Sequence, residues 1–99
     1  MPVIFHADAE AELEAAADYY EGQKRGLGSA FEAAVEDALG RVARMPRAFA
    51  LHGAAGLRKC LVRRFPYTVY FLDRDADIWV AAVAHQSREP DYWRGRAPE

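Results

Sequence analysis

Between Arg58 and Trp93 the chain carries the side-chain types that grip phosphates, exchange protons and stack on bases. The stretch "LRKCLVRRFPY" sets Arg58, Lys59, Arg63 and Arg64 within seven residues, and "HQSREPDYW" places His85, Arg88, Tyr92 and Trp93 near the end. An arginine's planar fork holds a phosphate through paired hydrogen bonds. Histidine is the residue type that exchanges protons near neutral pH, and Tyr or Trp rings stack on unpaired bases. A purely structural strand needs neither a basic run at its start nor an aromatic and basic tail after its end, so these residues read as a surface made for a partner. Each also has a plain structural alternative. His85 closes an apolar strand and can hydrogen-bond neighbouring backbone, Arg58 and Lys59 can pair with carboxylates of an acidic first helix, and Tyr92 and Trp93 can fold back onto the core.

Other chemistries find little support. The single cysteine, Cys60, allows no intrachain disulfide and reads as core packing, and with His6, His52 and His85 it forms no metal-ligand spacing, so neither metal nor cofactor is expected. "MPVIFHADAE" lacks a basic leader, and no stretch reaches the roughly 18 apolar residues of a membrane span. A cytoplasmic protein without membrane contact is expected. Ninety-nine residues, 52 % of them hydrophobic, suit one globular domain over residues 1–99. Net charge is −2 overall, yet residues 1–40 carry −7 and residues 41–99 carry +5, which fits separate faces for separate partners or simply a solvated acidic helix.

The elements that must position these side chains follow from periodicity. "PVIFHA" reads as a short strand. Asp8 is the expected helix cap, with Glu10, Glu12 and Glu14 favoured by the positive end of the helix dipole. Ala9, Leu13, Ala16 and Tyr20 recur along one narrow, Ala-rich face until "GQKRGLG" interrupts. A second helix carries Phe31, Val35, Ala38, Val42 and Met45 and stops at Pro46, and the short glycine break makes the two an antiparallel hairpin. "RAFALHGAAG" reads as a loop. Three strands follow, from Leu57 onward, at "YTVYFL" and at "IWVAAVA", the last buried on both faces, with turns at "FPY" and "DRDAD". The expected fold is α+β, strand-helix-helix-strand-strand-strand, a curled antiparallel sheet with the helical hairpin packed on it. Its expected core holds Leu13, Tyr20, Phe31, Val35, Leu39, Val42, Val69, Phe71, Val80 and Val83.

That order, with "AEAELEAAADYYEGQ" early, "RMP" after the second helix, "LRKCLVRRFPYTVYF" in the middle and "IWVAAVAHQSREPDYW" at the end, resembles the RelE/ParE toxins of bacterial type II toxin–antitoxin operons, known also as plasmid stabilisation proteins. The resemblance covers nearly the whole chain. It implies the RelE/ParE-like fold and a protein that arrests growth unless a cognate antitoxin binds it through an extended C-terminal segment.

The resemblance also implies one of two targets: RelE-like members cleave mRNA in the ribosomal A site, and ParE-like members poison DNA gyrase without hydrolytic residues of their own. RNA cleavage needs a base, cationic donors for the developing charge, and an acid. On RelE-like grounds the candidates are Lys59, Arg63 or Arg64, His85, Arg88 and Tyr92. This chain departs from that branch, being net acidic where an enzyme on a phosphate backbone calls for positive charge. His85 and Tyr92 are also not adjacent, as they are in the His-Tyr form of the enzyme. The favoured reading is a gyrase-directed, non-hydrolytic toxin whose Arg58, Lys59, Arg63, Arg64, Arg88, Tyr92 and Trp93 meet antitoxin or target. The alternatives are the mRNA endonuclease and a non-toxic binding module of the same fold.

Overall fold

The structure, a computed structural model, describes residues 1–53, 55–96 and 98. Along the chain come β1 (Val3–Phe5), α1 (Ala7–Gln23), α2 (Leu27–Arg44), a 3-10 turn (Pro46–Ala48), β2 (Arg58–Leu61), β3 (Tyr67–Asp73) and β4 (Ile78–His85). The strands form one open sheet in the order β1-β4-β3-β2. β2, β3 and β4 make an antiparallel meander. The sheet is nevertheless mixed and not wholly antiparallel: β1 runs parallel to β4, with Val3 opposite Ile78 and Phe5 opposite Val80. Connectivity explains the difference, since a parallel pair needs a long crossover and the helical hairpin supplies one.

The expected cap at Asp8 moves back two residues. His6 keeps an extended backbone at the end of β1, its Nδ1 accepts the Asp8 backbone N–H at 3.0 Å, and α1 therefore begins at Ala7. α1 buries only Ala9, Ala16 and Ala17. Such small residues let α2 approach closely, most of all at Gly28, where a Cβ would stand 2.6 Å from the Ala17 carbonyl oxygen. Glu21 fastens the turn by accepting the backbone N–H groups of Gly26 and Gly28, each at 3.0 Å.

α2 turns Phe31, Val35, Ala38 and Val42 onto the sheet, where they meet Val69, Phe71, Val80 and Val83, all buried. Leu13, Tyr20 and Leu39 pack at the margin of this core, half-buried, so the ten expected core residues lie on the helix side as read. β4 is buried on both faces from Ile78 to Ala84. Its second face is covered by Trp93 with Leu57, Tyr70, Leu72 and Tyr92 alongside. The stretch read as a plain loop also gains order against β2: the Lys59 N–H donates to the Ala50 carbonyl at 3.0 Å and the His52 N–H to the Leu57 carbonyl at 2.7 Å. Residue 54 of that stretch lies outside the described residues. Among the described residues no helix is long and apolar enough to cross a membrane.

Candidate functional site

One end of the sheet gathers most of the chemically able side chains. Tyr67 at the start of β3 lies opposite His85 at the end of β4, and the Gln86 N–H donates to the Pro66 carbonyl at 2.8 Å, which fixes the β2–β3 turn beside the residues that follow β4. Within that turn Arg64 adopts a left-handed backbone, φ +73°, and its guanidinium sits 5.5 Å from the Phe65 ring centre. Arg63 is exposed and stands 3.7 Å from Asp37. Arg88 is exposed beyond β4, its guanidinium 4.0 Å above the Tyr92 ring. Beside these residues a groove of about 520 Å³ runs between α1 and the end of β4, lined by Tyr19, Tyr20, Tyr67, His85, Arg88 and Tyr92 among others.

Three of the sequence-selected residues do not join this end. Arg58 turns its Nη1 to the Phe49 carbonyl, 2.7 Å away, and so holds the preceding loop in place of the expected carboxylate of α1. Lys59 is exposed on the edge strand and likewise has no ion-pair partner among the described residues. Its register partner is Tyr70, three residues along β3 from Tyr67, which with two strand spacings puts Lys59 roughly 14 Å from His85. Trp93 is 4 % exposed, stacked on Tyr70 with ring centres 3.9 Å apart, so it forms the back wall of the core.

The hydrogen bonds at the site restrict its proton chemistry. The His85 Nδ1 accepts the Ser87 backbone N–H at 2.9 Å, so a neutral ring carries its proton on Nε2 and offers no free lone pair there. Tyr92 donates its hydroxyl to Glu12 Oε2. Burial, and then that bond to a carboxylate, push the phenol far above its usual 10.0. The sign follows directly. A raised pKa keeps the proton on in the folded state, so the stabilisation is fully present below pH about 10 and is lost as pH rises further, because the unfolded chain releases its proton first. Urea unfolding at a series of pH values is expected to show stability falling above pH about 10, with Tyr92→Phe removing part of that fall. Tyr20, Tyr67 and Tyr70, raised chiefly by burial, keep the remainder.

Glu12 and Arg96, which the sequence reading passed over, hold this end together. Arg96 sends Nη1 and Nη2 to the two Glu12 oxygens, each at 2.9 Å, and Nη1 also donates to the Ala81 carbonyl at 2.8 Å. Glu12 Oε1 accepts the Val83 backbone N–H at 3.0 Å. These two backbone groups need partners because β1 stops at Phe5 and leaves the rest of β4's outer edge without a strand. A register shift, from Phe71 opposite Val80 to Tyr70 opposite Ala82, makes Ala81 the extra residue of a bulge and re-aims the edge. A second tie joins the tail to the loop before β2, His52 Nε2 to Asp91 Oδ1 at 2.7 Å. The hydrogen bond from His52 holds the Asp91 carboxyl below its usual 3.8. One sequence signal for Glu12 was available: it stands three residues after Ala9 and four before Ala16, a carboxylate on the flank of the buried stripe.

Among the described residues no group of three or more His, Cys, Asp or Glu could hold a metal ion. A family model described as "ParE toxin of type II toxin-antitoxin system, parDE" matches residues 3–90. A solved chain of the "Chromosomal ParDE TA system from P. aeruginosa" is similar in fold, with TM-score 0.62 at 19 % identity, covering 86 % of this chain and 95 % of that one. No curated protein sequence matches. With nearly the whole chain under the family match and the same α+β architecture in a solved relative, the protein belongs to the ParE toxin family of type II toxin–antitoxin systems.

Proposed function

We propose that this toxin is non-hydrolytic, that it acts in the cytoplasm on DNA gyrase through the basic end of its sheet, and that its antitoxin silences it by covering that end. The observation that carries the reading is the state of Tyr92: its hydroxyl is given to Glu12 and its proton is held far above the usual range, so it supplies neither a base nor a ready acid. The separation of Lys59 from His85 argues the same way, since a phosphoryl centre must be reached by base and acid together. Arg63, Arg64 and Arg88 are then contact residues, with His85 a strand-end side chain held by Ser87.

The groove beside α1, with Tyr19 60 % exposed at its rim, suits an amphipathic antitoxin segment whose carboxylates meet these arginines. Charge reversal tests the reading. Arg63→Glu with Arg64→Glu is expected to weaken inhibition of gyrase supercoiling by about tenfold or more, and to weaken antitoxin binding by calorimetry in parallel. Arg47→Glu, at the opposite end of β3 beside Asp73 and Asp75, is expected to leave both unchanged. Equal effects from both ends would contradict the assignment.

A further inference from the structure

We propose that Glu12 is the positioning residue of the toxin's contact surface: from α1, at the floor of the groove, it sets the tail that carries Arg88 and Tyr92. The inference rests on the assignment of the sheet end as the contact surface.

The geometry is that of a latch with two separable halves. Toward the sheet, Glu12 Oε1 accepts the Val83 N–H and finishes an edge that β1 is too short to cover. Toward the tail, the same carboxylate receives the Tyr92 hydroxyl and both arms of Arg96. Arg88 lies over the face of the Tyr92 ring and Arg96 over the same ring at 5.3 Å, so the place of Arg88 depends on the ring, and that of the ring chiefly on Arg96, which Glu12 holds. The tail has little backbone pairing of its own. Arg94 N–H to the Asp91 carbonyl at 3.0 Å and Arg96 N–H to the Trp93 carbonyl at 2.8 Å are turns, and Asp91 sits in the left-handed region at φ +61°. Tyr92 and Arg96 also lie past the residues that the family model covers. Side-chain anchors, more than backbone, therefore decide where this segment rests.

Glu12→Gln separates the two halves. The amide oxygen keeps the Val83 N–H and one hydrogen bond from Arg96 Nη1, whereas the NH₂ group in place of Oε2 loses Arg96 Nη2 and cannot accept from Tyr92, and the charge pairing with Arg96 is gone. Hydrogen exchange on the whole protein is expected to show the Arg94 and Arg96 amides exchanging about 10- to 100-fold faster in this variant, with the β4 amides unchanged. Its inhibition of gyrase supercoiling is expected to weaken about tenfold or more. Tail amides that exchange at the wild-type rate would overturn the inference, and so would a loosened tail with full inhibition. Exchange needs no gyrase, so a wild type that fails to inhibit would sink the gyrase reading and leave the positioning role to be decided by exchange alone. If Glu12→Gln does not fold, Arg96→Lys carries the same test, since it keeps the charge and loses the fork.

Discussion

Arg96→Ala is expected to lower the free energy of unfolding by up to about 3 kcal/mol, the low end of the usual cost of leaving one member of a buried ion pair behind, because this pair is part-buried. Both side chains are largely shielded, Arg96 14 % and Glu12 17 % exposed, so solvent screening reduces the effect without removing it. The variant loses more than the pair. The Ala81 carbonyl gives up its donor, and Glu12 keeps only Tyr92 and the Val83 N–H to balance a buried charge. For a domain whose total stability is about 5–15 kcal/mol, such a loss is a large fraction. Urea denaturation followed by far-UV circular dichroism measures it. A midpoint within experimental error of wild type would mean that the latch adds nothing to stability. Arg94→Ala serves as the control, because Arg94 pairs with Asp91 through a side chain that is 80 % exposed and a pair of that kind contributes about 0–1 kcal/mol.

The sequence carried the architecture because its signals were local. Phe31, Val35, Ala38 and Val42 repeat at helical spacing, "YTVYFL" and "IWVAAVA" are strand-like, and the glycine-flanked break at Gly26 marks the turn between the helices. The parallel placement of β1 was not local. Three residues hold no record of the direction of their partner, and only the length of the crossover favoured a parallel pair. The cap differs for a related reason: Asp8 is a good capping residue type, but His6 ends the strand and accepts the backbone N–H of Asp8 itself, which places Asp8 inside the first turn.

At the candidate site, residue type selects Arg63, Arg64, Arg88 and Tyr92, which lie at one end of the sheet, while Arg58 and Trp93 are drawn inward by the Phe49 carbonyl and by Tyr70. Glu12 and Arg96 were missed because they lie 84 residues apart and their pairing exists only once the tail folds across β4. The charges along α1 read as a solvated face, and only the spacing of Glu12 from Ala9 and Ala16 sets it apart from its neighbours.

The non-hydrolytic reading is tested most directly by a supercoiling assay in which purified DNA gyrase is titrated with wild-type toxin and with the His85→Ala, Tyr92→Phe double variant. The variant removes the imidazole and the phenolic proton but leaves the ring beneath Arg88 and the Glu12–Arg96 pair. If neither group carries a proton in a chemical step, the two inhibition curves are expected to lie close together once the folded fraction is matched by circular dichroism. If the protein cuts mRNA, the same changes remove an acid, a base or a stacking platform, and such groups contribute about 10²- to 10⁴-fold in rate. Supercoiling inhibited equally by both proteins is the result expected here. No inhibition by the wild type, with A-site cleavage of ribosome-bound mRNA that disappears in the folded double variant, would contradict it.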